Sequence, residues 1–462
     1  MGTELLAPLD LAFWHLESDA HPMHLGALAV FSPAPGTARG GAGAVLELLQ
    51  TRAAAIPRLR MRVRDVLLPV GGAAWFVDKD FDVRRHIERV RLTGQEALGG
   101  DAGFMAGATR LAGELMERPL ERGRPPWRMY VIGGADGGPF AVLVKLHHAL
   151  ADGMRAVAIG AGIFDEIAPL AGRAPGVPPS VRARAVPPRS WMPGPRQVAG
   201  LALGRIEDLG RAFGVGASVV RASRLDLRGA PALTARSSGT RRLATADLDL
   251  AAVRRIRRAA GGTVNDVLLA VVAGALRRWM RERGETPPVD DPRALVPVSR
   301  RRPGQPAATG NRLSAYLLAL PVGEPDPRLR LHRVRTAMDR NKAAGPLRGA
   351  GAVAVLADQL PSLAHRFGAP IAGSAARMLF DLLVTSVPLP RSALSLGGCP
   401  LRAVYPMAPL ARGQALAVAL STYGGRVHVG LVADGKALPD LDRLAHCADE
   451  EVAELLALLP VP

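Results

Sequence analysis

Cysteine, lysine and aromatic rings are all scarce in this chain of 462 residues. Its 2 cysteines, Cys399 and Cys447, are too few for a disulfide framework, and no Cys/His cluster with zinc-ligand spacing accompanies them. They read as ordinary buried or half-buried thiols. Trp, Tyr and Phe together make up 4% of the chain, so platforms for stacking nucleobases are few. The best apolar run, 267–276, is about half the roughly 20 residues that a membrane-spanning helix requires. The opening Met1-Gly2-Thr3-Glu4 lacks the basic segment of a secretory signal, so a cytosolic protein is expected.

What is abundant is positive charge, with a net +18, and apolar residues, at 48%. Lysine occurs only at Lys79, Lys145, Lys342 and Lys436, so the excess is arginine. It is scattered, with short clusters such as Arg300-Arg301-Arg302. With so few aromatics, this charge does not read as a nucleic-acid surface. It suits an anionic lipid surface or a phosphate-bearing cofactor, and any single arginine reads first as a solvated side chain. The length predicts two or more domains with sizeable cores.

Two structured parts flank a Pro/Arg-rich stretch, and their expected bounds are 1–167 and 236–462. Between them, 168–235 reads as a crossover linker. Its first part is too dense in proline for a helix or a central strand, and 197–224 is patterned for one or two helices. In the first part, 23–31, 73–77 and 140–146 read as strands, and 43–52 and 107–117 as helices. In the second, Asp249 caps a helix over 250–260 that Gly261-Gly262 ends. Thr263 and Asp266 fit a capping box that opens a buried helix from Val267. Segments 415–421 and 427–432 flank Tyr423-Gly424-Gly425-Arg426 as a hairpin, and 449–458 reads as a final helix.

The strand 140–146 runs into His147-His148-Ala149-Leu150-Ala151-Asp152-Gly153, an HHxxxDG cluster. Adjacent residues of a strand face opposite ways, so the two histidines cannot line one cavity equally. A neutral imidazole held at a cavity mouth can take the proton of an attacking hydroxyl. Asp152 sits where a helix N-cap would, and Gly153 permits close backbone approach. On the histidines alone, a satisfied core histidine competes with the general-base reading. A metal site lacks the spacing it would need.

HHALADG after a buried strand resembles the active-site motif of CoA-dependent acyltransferases. More closely, the chain resembles the bacterial wax ester synthase/diacylglycerol acyltransferase family over essentially its full length. The likeness runs through Pro8-Leu9-Asp10, Phe13, Pro22-Met23-His24-Leu25-Gly26 and Arg124-Pro125-Pro126-Trp127. It continues through Asn265-Asp266-Val267-Leu268-Leu269-Ala270, Gly310-Asn311-Arg312 and Tyr405-Pro406. It implies an α/β, two-domain, chloramphenicol-acetyltransferase-like fold with the site between the domains and a tunnel meeting His148 from both sides. It further implies acyl transfer from acyl-CoA to diacylglycerol or a long-chain alcohol, without cofactor or metal and without a covalent acyl-enzyme. His148 would be the general base, His147 a supporting residue and Asp152 a loop stabiliser, with Gly153, Asn265, Asp266 and Asn311 supporting the motifs. Capping accounts for Asp266, a turn for Asn311 and a packing corner for Trp127 equally well. The long apolar substrates imply association with the inner membrane face or lipid inclusions.

One segment departs from the family. Where Ser-Asn-Val-Pro-Gly-Pro is usual, this chain has Thr385-Ser386-Val387-Pro388-Leu389-Pro390. That favours one rival, a catalytically weak lipid-binding protein of storage inclusions. A second, a condensation-type acyltransferase with another acceptor or a carrier-bound donor, stays open because condensation domains share HHxxxDG.

Overall fold

The apolar runs His24–Phe31 and Phe140–His147 become neighbouring antiparallel strands, and the first half is assembled around them. The structure, a computed structural model, describes residues 4–33, 42–134, 137–167, 230–299, 313–344 and 379–459. In chain order its first elements are β1 (Glu4–Leu5), α1 (Pro8–Leu16), β2 (His24–Phe31), α2 (Ala42–Ala55), β3 (Met61–Asp65), β4 (Ala73–Val77) and β5 (Ile87–Arg91). There follow α3 (Gln95–Leu98), α4 (Gly100–Glu117), β6 (Trp127–Gly133), β7 (Phe140–His147), α5 (Gly153–Ala161) and β8 (Asp165–Ile167). The second half brings β9 (Arg241–Asp249), α6 (Leu250–Ala260), α7 (Val264–Glu282), β10 (Arg293–Ser299), β11 (Leu313–Ala319) and α8 (Pro327–Ala344). It closes with β12 (Leu382–Pro388), β13 (Ala393–Leu396), β14 (Cys399–Met407), β15 (Leu416–Tyr423), β16 (Arg426–Asp434) and α9 (Leu441–Ala457).

The strands form a 7-stranded sheet, β5-β6-β7-β2-β14-β13-β8, a 6-stranded sheet, β11-β10-β12-β15-β16-β9, and a small sheet, β1-β4-β3. A division at 167 and 236 does not separate them. β13 and β14 belong to the second half by sequence, yet β14 pairs with β2 and β13 with β8. Alternation of apolar residues marks a strand but carries no information about which sheet it joins. The expected linker is also too long at its end: Ala230, Leu233 and Ala235 are buried in the second core. The remainder, 168–229, with its expected helices, lies outside the described residues. The two large sheets meet where β16 crosses β14. A Cβ on Gly430 would lie 2.0 Å from the Pro406 carbonyl oxygen, so only glycine fits this crossing.

Local signals behave as their chemistry requires. Asp249 accepts the Ala251 N–H at 2.9 Å, and Thr263 and Asp266 satisfy each other's backbone N–H at 3.2 and 2.8 Å. Gly424 and Gly425, at φ 56° and 80°, turn the β15–β16 hairpin as a type I′ turn demands. Helix α7 lies buried through the second core, matching its apolar circumference. Trp127 is a packing corner: its buried indole donates to the Leu59 carbonyl at 2.7 Å. Two helices start earlier than expected, α4 at Gly100 and α9 at Leu441. The first turns of α9 mix buried Leu444, Ala445 and Ala448 with charged neighbours, which blurs the apolar pattern there.

Candidate active site

Strand alternation sorts the end of β7 into two faces. Val144, Leu146 and His148 line a cavity, while Lys145 and His147 are buried on the other side. The His148 N–H donates to the Met23 carbonyl at 2.8 Å, fixing the backbone where the strand ends. Its imidazole stacks on Phe13 of α1, with ring centroids 3.9 Å apart and planes at 20°. Burial pushes the His148 imidazole down to about 4. A hydrogen bond with its own backbone opposes that shift, His147 adds to it, and the Asp152 charge opposes it. The ring is therefore unprotonated at neutral pH, the form that can accept a proton.

Behind it, His147 Nδ1 accepts the Ala149 N–H at 3.0 Å. In the neutral ring this assigns the proton to Nε2, which lies 3.4 Å from Glu17 Oε1. His24, directly opposite His147 on β2, places its own Nε2 3.3 Å from the same oxygen. Burial alone would raise the Glu17 carboxyl, but hydrogen bonding to His147 and His24 outweighs it and holds Glu17 well below the usual carboxylate range. Burial pushes His24 down to about 4. The edge of Trp14 faces His147 at 5.2 Å. Lys145, on the same face, donates to the carbonyls of Leu115, at 2.8 Å, and Arg118, and burial lowers its ammonium to about 7. Glu17 gave no sign in the sequence. It is one carboxylate just past a short helix, and only the pairing of β2 with β7 brings it under the histidines.

Asp152 is buried and caps α5, accepting the Arg155 N–H at 2.7 Å. Gly153 lines the cavity, but close backbone approach is not what it provides. A Cβ there would meet Val387 at 3.7 Å, an ordinary contact, so the glycine contributes space. Asp266 is a buried cap outside the cavity lining. Asn265, on the first turn of α7, accepts a hydrogen bond from the Ser386 hydroxyl at 2.7 Å. Two of the motif segments thus meet across 121 residues of sequence. Asn311 lies outside the described residues.

The cavity holds about 400 Å³ and draws its walls from both halves: β2, β7 and α5 from one, β10, β12, β14 and β15 from the other. Its lining is overwhelmingly apolar, and among the described residues no lysine or arginine contributes to it. The segment 385–390, all of which lines the cavity, is largely strand β12 paired in parallel with β15. The paired residues of β10 and β12 are only Ala294 with Leu382 and Leu295 with Leu383. Beyond them Pro297, which has no N–H to donate, lines the cavity.

One group of metal-ligand type occurs among the described residues, Glu282, Cys447 and Glu450. Arg443 binds both carboxylates, at 2.6 Å to Glu282 and 2.9 Å to Glu450. Burial raises the Cys447 thiol to about 11. A guanidinium thus holds the place a cation would take.

Comparison with known proteins agrees with this architecture. Residues 6–268 match the wax ester synthase/diacylglycerol acyltransferase catalytic domain, and residues 309–456 match the WS/DGAT C-terminal domain. A probable diacylglycerol O-acyltransferase of Mycobacterium tuberculosis H37Rv is 32% identical over 473 residues, covering 98% of this chain and 96% of its own. A putative diacylglycerol O-acyltransferase of Mycobacterium bovis is 30% identical over 468 residues, covering 98% of each. The solved wax ester synthase/diacylglycerol acyltransferase from Marinobacter aquaeolei VT8 superposes with a TM-score of 0.69 at 23% identity, covering 98% of both chains. The starter condensation domain of rhizomide synthetase, solved with C8-CoA, shares the fold at a TM-score of 0.55 and 14% identity, over 99% of this chain and 94% of that one. The chain belongs to the wax ester synthase/diacylglycerol acyltransferase family.

Proposed function

We propose that this protein transfers a long-chain acyl group from acyl-CoA to the hydroxyl of diacylglycerol or a long-chain alcohol, with His148 as general base. The observation that carries the reading is an apolar cavity of about 400 Å³ that reaches the His148 imidazole. Pockets of this order bury a drug-sized ligand, and these walls suit an acyl chain. They do not suit the nucleotide of CoA, because no cationic side chain among the described residues lines them. The chain lies inside, the thioester sits at His148, and the CoA phosphates stay outside.

The reaction runs in a ternary complex. The acceptor oxygen forms its bond to the thioester carbon as its proton passes to His148. The carbon–sulfur bond then breaks, and the imidazolium returns the proton to the leaving thiolate, giving ester and free CoA. Burial serves both steps: it keeps the ring unprotonated beforehand and makes its conjugate acid a ready donor afterwards. His147 and Glu17 hold the ring-bearing turn from behind, and Asp152 starts α5 beside it. Acyl-CoA is a co-substrate, and the scheme assigns no cofactor or metal.

No single helix among the described residues is long and apolar enough to cross a membrane. Substrates this apolar are met at a lipid surface, which for this protein is the inner membrane face or a lipid inclusion. The decisive experiment follows thiol release from palmitoyl-CoA with dioleoylglycerol or hexadecanol as acceptor. Release that requires an acceptor and disappears in His148→Ala is expected. Release with neither acceptor, or undiminished release in the variant, refutes the reading.

A further inference from the structure

The small sheet beside the site carries an apolar surface that the reaction scheme does not use. Strands β3 and β4 are joined by Val66-Leu67-Leu68-Pro69-Val70-Gly71-Gly72, a loop with no charged side chain. Leu67 is 92% exposed, Leu68 77% and Val70 57%, and Pro69 between them is exposed as well. Leu5 of β1 and Val77 of β4 are also exposed, so most of the large exposed hydrophobics among the described residues belong to this one sheet and its loop. Elsewhere only Met154, Val289 and Leu329 join them, as single residues. Isolated exposed apolar side chains are ordinary, but a consecutive run at the tip of a hairpin marks an interaction site.

Two features tie this tip to the active site. The His15 ring donates to the Gly71 carbonyl at 3.0 Å, and His15 shares helix α1 with Phe13, which stacks on His148. Met154, at the start of α5, both lines the cavity and is exposed, so the cavity wall reaches the surface there. Arg58, at the foot of the small sheet, lies within electrostatic reach of Arg155 on the same turn of α5. Charge points to the same occupant. Arg58 is matched by Glu4 at 3.1 Å and Arg62 by Asp78 at 3.2 Å. Arg60 and Arg64 are exposed and pair with no carboxylate among the described residues, with exposed Asp65 as the acidic neighbour. An uncharged apolar tip above unmatched arginines fits acyl chains beneath anionic headgroups.

We propose that the loop 66–72 is the lipid-docking element of this protein, inserting Leu67, Leu68 and Val70 among acyl chains while Arg64 and Arg60 meet lipid phosphates. Docking there delivers a membrane-borne acceptor next to the α5 side of the cavity. The inference rests on the proposed lipid substrate, but its test needs no turnover. Purified protein is co-sedimented with vesicles of phosphatidylcholine, with and without phosphatidylglycerol. The triple variant Leu67→Ser, Leu68→Ser, Val70→Ser is expected to lose at least about tenfold in partitioning to both. The double variant Arg60→Gln, Arg64→Gln is expected to lose about fivefold per charge on phosphatidylglycerol vesicles only. Both variants should keep the wild-type melting temperature and wild-type transfer from palmitoyl-CoA to a water-soluble short-chain alcohol. A triple variant that sediments like wild type overturns the proposal. So does a wild-type protein that ignores vesicles and forms a dimer that the triple variant dissolves. If the loop governs sedimentation while no acceptor supports acyl transfer, the docking surface stands and the proposed reaction falls.

Discussion

His147 and His148 are adjacent in sequence and meet opposite surroundings. His148 faces an apolar cavity, its ring stacked on Phe13 and stripped of its proton by burial. His147 faces a closed polar cluster, with Glu17 Oε1 at 3.4 Å, His24 beyond it and a backbone N–H on its other nitrogen. One strand thus offers a ring with room beside it for a substrate and a ring with none. The division teaches that the doubled histidine presents one ring to the cavity and encloses the other, so the two are not interchangeable.

The largest effect that can break this comparison is His148→Ala. Loss of the proposed general base should cost about 10²–10⁴-fold in kcat with the melting temperature nearly unchanged. An equal kinetic loss in His147→Ala with an unchanged melting temperature would erase the distinction between the faces. Next in size is Glu17→Gln. It leaves two buried imidazoles without their shared anion, so stability should fall by about 1–3 kcal/mol. Turnover should fall by roughly tenfold through misplacement of the ring-bearing turn, within the range that small displacements cost. Thermal unfolding and kcat, measured together, separate this outcome from that of His148→Ala.

Acidification sharpens the comparison further. With His148 lowered to about 4, the acid limb of kcat/KM should fall well below the ordinary imidazole value of about 6.5. A limb at ordinary imidazole pH would mean the ring is well solvated. Burial also lowers His24 to about 4. The unfolded chain therefore takes up that proton first, and folded-state stability falls as pH drops from about 6.5 to about 4, with no further His24 contribution below. Chemical unfolding across that range should show the decline, and His24→Gln should make it shallower while leaving the share of His148, which is lowered to the same value. The smallest effect belongs to the departure from the family's usual pattern. Leu389→Ala enlarges the cavity at its β12 wall and should shift acyl-chain preference toward longer chains, with rates changing by only a few-fold. Competition between acyl-CoA species of different length reads this directly.

Much of this was legible in the chain. Asp249, the Thr263–Asp266 box, the Asp152 cap and the Gly424-Gly425 turn all act on backbone groups within a few residues of themselves. The opposite orientation of the two histidines follows from strand geometry alone. The likeness around HHALADG and NDVLLA pointed to the family that the wider comparison shows. Other features were illegible for a shared reason. Glu17 under His147, Ser386 on Asn265, Phe13 on His148 and β14 beside β2 are all contacts between distant segments.

The sequence by itself determined where the helices capped by Asp152, Asp249 and Thr263 start, where the hairpin turns and which side of β7 each histidine takes, because those outcomes depend on hydrogen bonds and periodicity within a few residues. Only the tertiary structure decided that β14 crosses into the first sheet, that one carboxylate braces two imidazoles and that an apolar cavity ends at His148. Those depend on the register and crossing of strands far apart in the chain, which no local pattern encodes.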